Sequence, residues 1–160
     1  MKKVTVLGGG KIGRMVGFLL GTSGDYQVHI GDSDASAASA AAQIAKGSGS
    51  AVDFTSEALV RGAVADAWAV VSCAPFHCNP LIASCAKAAG AHYFDLTEDV
   101  AVTKKVIELA AGSRTVLAPQ CGLAPGFITI AANHLAAPYS TLDTLRLRVG
   151  ALPIQPSNEL

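Results

Sequence analysis

Gly8, Gly10 and Gly13 stand in G-x-G-x-x-G spacing, and Asp32 follows at the end of the next strand-like run. That pattern can hold a dinucleotide without a positively charged side chain. Gly8 makes a tight turn, Gly10 lets the backbone approach a pyrophosphate, and Gly13 lets a helix lie close to its strand. The helix starting near Gly10 then points unsatisfied N–H groups at the phosphates. Asp32 lies about 20 residues beyond the glycines, where a carboxylate accepts from the adenosine ribose. Ser33 follows it and no Arg neighbours it in the chain, so a 2′-phosphate would meet repulsion and NAD is expected over NADP. The plainer alternative is a glycine turn with a solvated aspartate. The flanks decide against it: Val4–Leu7 are β-formers, and Ile12, Met15, Val16, Leu19 and Leu20 recur with helical spacing.

Open α/β sheets bind ligands beyond the carboxyl ends of their strands, so the other candidates are the residues that follow each apolar run. Asp53 could accept from the adenine amino group or simply hold a turn. Ala74, Pro75 and Phe76 would pass along the cofactor. His77 after them could bind substrate or carry a proton, though a loop histidine is as readily just solvated. Asp95, Thr97, Glu98 and Asp99 are the densest set of carboxylates and their neighbours. Asp95 and Glu98 could bind an ammonium or move a proton, whereas Thr97 and Asp99 read as caps of the following helix. Gly122 to Gly126 form a second glycine-bounded turn, with Pro125 expected in the first helical turn. Gly122 and Pro125 could shape a nicotinamide pocket, and a tight strand-to-helix turn needs the same residues. Of the four cysteines, none is in C-x-x-C spacing, and no metal site is expected.

The elements that must position these groups follow from periodicity. Residues 34–46 read as an alanine-rich helix capped by Ser33 or Asp34 and stopped by Gly47, and a short strand is expected around Ala51 and Val52. A weak helix spans 56–65, and 68–73 is apolar throughout, as a strand buried on both faces should be. Asn79 and Pro80 read as the cap and first turn of a helix through Ala89. Strands at 92–96 and 115–119 enclose a helix from about Val100 to Ala111. A last helix carries Phe127, Ile130, Ala131, His134 and Leu135 on one face. About six strands alternating with helices predict a doubly wound parallel sheet over residues 1–140. Leu145, Leu147 and Val149 alternate with Arg146, Arg148 and Gly150, a half-buried strand unlike the others. It is expected to begin a second domain, residues 141–160, of which most is missing.

Lys and Arg total 12, balanced by 12 Asp and Glu, with no basic patch, so nucleic acid is not an expected partner. No apolar run reaches membrane-span length, and the chain starts directly in a strand, which gives a cytoplasmic expectation.

The opening VTVLGGGKIGRMV, the later YFDLTEDV, and above all CGLAPGF followed by LRVGALP resemble the saccharopine dehydrogenase and lysine 6-dehydrogenase group. The resemblance implies an N-terminal NAD(P)-binding domain followed by a domain that completes the substrate site and the homodimer. It implies oxidation at an amine-bearing carbon of an amino acid, or the reverse reduction. Carried over by position, Gly8, Gly10, Lys11, Ile12 and Gly13 would hold the pyrophosphate, Asp32 the ribose, Asp53 the adenine, and Ala74, Pro75 and Phe76 the rest of the cofactor. Gly122 to Gly126 would lie near the nicotinamide. The competing class is a non-catalytic dinucleotide-sensing domain, which would not require CGLAPGF leading into LRLRVGALP.

Overall fold

The computed structural model describes residues 1–150. Its strands are β1 (Lys2–Leu7), β2 (Tyr26–Asp32), β3 (Ser48–Ala51), β4 (Ala69–Ser72), β5 (His92–Asp95) and β6 (Leu117–Ala118). Between and after them run α1 (Lys11–Ser23), α2 (Ala35–Ile44), α3 (Glu57–Val64), α4 (Asn79–Ala88), α5 (Val100–Ala110) and α6 (Phe127–Ala136). The six strands form one sheet in the order β3-β2-β1-β4-β5-β6, with every pair parallel. This is the doubly wound arrangement, and the order reverses between β1 and β4.

Two apolar layers flank the sheet. Leu7, Val70 and Tyr93 pack with Val60, Val64, Ile82 and Val106 on the face covered by α3, α4 and α5. Val4, Val6, Val28 and Ile30 pack with Ala41, Ala42 and Ala45 on the other. No helix among the described residues is long and apolar enough to cross a membrane.

The face that α1 buries is only part of the expected one, since Val16 and Leu20 pack against the core but the other three apolar residues do not. Ile12, Met15 and Leu19 are 57%, 57% and 58% exposed, while Gly13 and Gly17 are buried. A Cβ on Gly13 would overlap the Gly8 carbonyl, one on Gly17 would meet Ile30 and Ala45, and one on Gly21 would overlap the Ala45 carbonyl. Glycines four residues apart therefore form the contact stripe, and the helix lies closer to β1 and β2 than any side chain would permit.

Helix ends also depart from expectation. Lys46, not Gly47, takes the left-handed conformation after α2, with φ 52°, because Gly47 is pressed against the Val28 carbonyl. Asn79 does not cap α4. A short 3-10 turn at Phe76–Cys78 precedes the helix, and the Asn79 side chain turns inward to accept from the Ser72 hydroxyl at 2.7 Å. Asp34, Ser56 and Asp99 cap α2, α3 and α5 through their side chains. Pro125 lies before Gly126, the N-cap of α6, rather than in its first turn.

The strand expected at 145–149 is absent: residues 144–150 carry no regular structure. A half-buried strand needs a paired edge and a surface to cover, and this segment pairs with no strand of the sheet. Residues 151–160 of the expected second domain lie outside the described residues.

The glycine stripe yields a paired test. Gly13→Ala should cost about 1–3 kcal/mol, since overpacking against backbone outweighs the gain in helix propensity. Gly62→Ala, on the open side of α3 with nothing near its Cβ, should instead stabilise by about 0.5–1 kcal/mol. Urea denaturation midpoints of the two variants give the signs.

Candidate functional site

The candidate site runs along the carboxyl edge of the sheet. Gly8 leaves β1 with φ 111°, and its Cβ position is 2.5 Å from the Cys73 carbonyl oxygen, so no larger residue fits where the β1 and β4 exits converge. Space above Gly10 is empty to 4 Å, which leaves a cradle at the start of α1. No side chain caps α1, and its first turn holds no acidic residue. The first-turn N–H groups of Lys11, Ile12 and Gly13 are thus left to an external acceptor, and an anion the size of a phosphate suits them. The residues present fit a pyrophosphate.

Asp32 ends β2 beside this turn. Its Oδ2 accepts from the Gly9 N–H at 2.6 Å and its Oδ1 from the Asp34 N–H at 2.9 Å. The carboxylate therefore fixes the glycine turn while keeping lone pairs for ribose hydroxyls. Asp53 follows β3 with its side chain exposed. Its Oδ1 accepts from both the N–H and the hydroxyl of Thr55, at 2.8 and 2.7 Å, and these bonds hold its carboxyl below the usual range. Arg14 brings a basic side chain to the glycine turn that Asp32 holds: its Nε donates to the Gly9 carbonyl at 3.1 Å. Sequence reasoning missed it because it looked for basic residues after the second strand, not one helical turn past the glycines.

Between the exits of β4 and β5 lies a cleft of about 450 Å³, lined in part by Ile12, Ala74, Phe76, Thr97, Glu98 and Asp99. Ile12 of α1 and Ala74 after β4 join this cleft to the order reversal between β1 and β4, the expected place for a ligand. Phe76 is 53% exposed, and its ring meets that of His77 edge-on at 5.8 Å. His77 is exposed and is not among the lining residues; Pro75 stands between Ala74 and Phe76 at the cleft wall. Glu98 is exposed at the cleft, whereas Asp99 is tied to α5 by the Val102 N–H at 2.8 Å and Thr97 accepts from the Asp99 N–H at 3.1 Å.

Asp95 is placed quite differently. It is fully buried: Oδ2 accepts from the Tyr93 hydroxyl at 2.9 Å, and Oδ1 from the N–H groups of Thr97 at 3.0 Å and Gln120 at 3.2 Å. Its carbonyl accepts from the Cys121 N–H at 2.7 Å. Burial, then the Asp95 charge, pushes the Tyr93 phenol up, so it stays a donor. One side chain thus fastens the 96–99 loop to the turn after β6. In that turn Gln120 holds φ 64°, and Gly122 and Gly126 touch backbone to backbone. Gly122 and Pro125 line a second cavity of about 510 Å³, together with Gln120, Cys121, Phe127 and Thr129. Burial and the Asp95 charge push the Cys121 thiol up, and burial alone takes Cys73 to about 12. Asp95→Ala would strand the donors of Tyr93, Thr97 and Gln120, for an expected loss of about 2–4 kcal/mol. Asp95→Asn, which keeps an acceptor, should lose less; chemical denaturation of both variants checks the order.

The comparisons with known proteins agree with this geometry. Residues 4–118 match the family model for the saccharopine dehydrogenase NADP binding domain. Among solved structures, apo saccharopine dehydrogenase (L-Glu forming) from Saccharomyces cerevisiae superimposes with a TM-score of 0.71 at 18% identity, over 86% of this chain and 31% of that one. A Sinorhizobium meliloti 1021 protein assigned as a myo-inositol dehydrogenase gives 0.68 at 19% identity, over 86% and 41%. GenD2 from gentamicin A biosynthesis, in complex with NAD, gives 0.65 at 22% identity, over 89% and 41%. The chain therefore spans only 31% to 41% of the length of these structures, and at such identities they speak for the fold alone. With its glycine turn, its strand order and a matched segment running from β1 to β6, the chain belongs to the saccharopine dehydrogenase NADP binding domain family and is an NAD(P)-binding domain of the oxidoreductase type.

Proposed function

We propose that this chain is the cofactor-binding part of an oxidoreductase acting at the amine-bearing carbon of an amino acid, of the saccharopine or lysine type. The observation that carries the reading is the placement of Glu98. It is exposed at the cleft, beside the anchored Thr97 and Asp99, and makes no ion pair among the described residues. A carboxylate there suits a substrate ammonium. The motifs CGLAPGF and LRVGALP support the amino-acid class.

When bound, the nicotinamide supplies hydride transfer, and this chain's residues align it. Gly8, Gly10 and Gly13 shape the turn, and the first N–H groups of α1, at Lys11 and Ile12, hold the pyrophosphate. Asp32 accepts from the ribose and Asp53 from the adenine. Ala74, Pro75 and Phe76 border the nicotinamide half, with Gly122 and Pro125 beyond it. Glu98 and His77 are the groups free to meet a substrate or carry a proton, and Asp95 fastens the loop that carries Glu98 to the Gln120 turn. A second domain starting within 141–160 would complete the site, and the full-length protein would be a homodimer. The exposed Phe127, Ile130 and Leu135 of α6 offer apolar surface for such an association.

Asp32 favours NAD over NADP, because a 2′-phosphate would face its carboxylate. Titration with NADH and NADPH, followed by nicotinamide fluorescence, should show the tighter site for NADH. Asp32→Ala should narrow the gap by roughly tenfold, while weakening NADH itself through the lost Gly9 bond. If neither nucleotide binds the wild-type chain, the dinucleotide reading is wrong.

A further inference from the structure

We infer that Arg14 reads the 2′-phosphate of the cofactor, so that the site takes NADPH as well as NADH and Arg14 sets how far NADH is preferred. The inference rests on the dinucleotide reading above and adds a specificity residue to it.

Gly9 is bracketed by opposite charges. Its N–H donates to the Asp32 carboxylate at 2.6 Å, and its carbonyl accepts from Arg14 Nε at 3.1 Å. Gly9 is also the point where the glycine turn touches α2, since a Cβ there would lie 2.9 Å from the Ala37 carbonyl oxygen. The bond from Arg14 therefore falls on the same residue that contacts Asp32 and the start of α2. This is the ribose end, where a 2′-substituent would project.

Arg14 is exposed, and Nε supplies only one of its five N–H donors. Among the described residues it has no carboxylate within ion-pair distance. Both terminal nitrogens thus remain for an oxyanion, in the planar fork that suits phosphate. Exposed Lys11, one turn earlier, adds positive charge.

Two carboxylates oppose it from the exit of β2. Asp32 already accepts two backbone N–H bonds. Asp34 accepts from the hydroxyl and the N–H of Ser36, which holds its carboxyl below the usual range and keeps it charged. A 2′-phosphate would enter between these anions and the Arg14 fork. Ribose hydroxyls need only Asp32, so the two cofactors depend on Arg14 to different degrees.

The test is a titration of the 160-residue chain, wild type, Arg14→Met and Arg14→Lys, with NADH and with NADPH at low and physiological salt. Expected is a loss in Arg14→Met that is roughly tenfold larger for NADPH than for NADH. Arg14→Lys should retain most of the NADPH affinity, and salt should weaken NADPH more than NADH in the wild type. Equal losses for both nucleotides would assign Arg14 to the pyrophosphate or the turn and overturn the inference, as would no loss in a variant whose NADH binding shows it folded. If the wild type binds neither nucleotide, the underlying dinucleotide reading falls and this one with it; NADH binding with an unmoved ratio removes the Arg14 role alone.

Discussion

The closeness of α1 to the sheet is the constraint on which the other features depend. Gly13, Gly17 and Gly21 face β1, β2 and the end of α2, and each lies where a Cβ would meet a neighbour. A glycine inside a helix costs about 1 kcal/mol relative to alanine, so a stripe of them is an expensive way to build a helix. Its return is geometric. With no side chain between them, the first turn of α1 sits directly above the exits of β1 and β4, and its free N–H groups open into the crevice where the strand order reverses. A helix held further out by ordinary side chains would still cover the sheet but would move the phosphate donors off that edge. The same approach leaves Ile12 beside the cleft instead of in the core.

The fold was largely legible because strands buried on both faces announce themselves as unbroken apolar runs, and because glycines and caps punctuate the helices. The parallel sheet, its six strands, and the capping roles of Asp34 and Asp99 could be read locally. The errors have a common cause. Apolar periodicity in α1 marked Ile12, Met15, Val16, Leu19 and Leu20 as one face; Val16 and Leu20 do pack against the core, but proximity to backbone, which leaves no apolar signature, put glycines rather than Ile12, Met15 and Leu19 at the closest contact. Asn79 had the right type and position for a cap, but Ser72, at the end of β4, presented a hydroxyl to its side chain. A local pattern cannot show a partner contributed by another element.

The candidate site shows the same limit among identical side chains. Asp32, Asp53 and Asp95 each end or follow a parallel strand at the same edge. In sequence they are nearly equivalent. In the fold Asp53 is exposed and satisfied by its own turn, Asp32 is half-buried and shared with the glycine turn, and Asp95 is enclosed by Tyr93, Thr97 and Gln120. The differences follow from position in the sheet. β3 is an edge strand with an exposed exit, whereas β5 lies between β4 and β6, so donors from two loops converge on its end. A carboxylate there is costly to bury unless each oxygen is used, and here each is. That cost is what gives Asp95 its hold on two loops at once: the 96–99 segment and the Gln120 turn have to meet the same pair of oxygens.

The segment after β6 shows what periodicity cannot do alone. Leu145, Leu147 and Val149 alternate with polar neighbours as a half-buried strand would, yet they are 56%, 49% and 45% exposed and form no ladder. Alternation encodes which face a strand would bury, but the free energy comes from the surface it covers and the edge that pairs its backbone. Within residues 1–150 this segment neither pairs with an edge of the sheet nor covers a surface. The helix before it is in a similar position, since only Ala132 of α6 is buried while Phe127, Ile130 and Leu135 stand in solvent. Helix α6 keeps its shape because its hydrogen bonds close within itself, whereas a strand has no such internal satisfaction. The same lack of a covering surface therefore leaves α6 formed and residues 145–149 irregular.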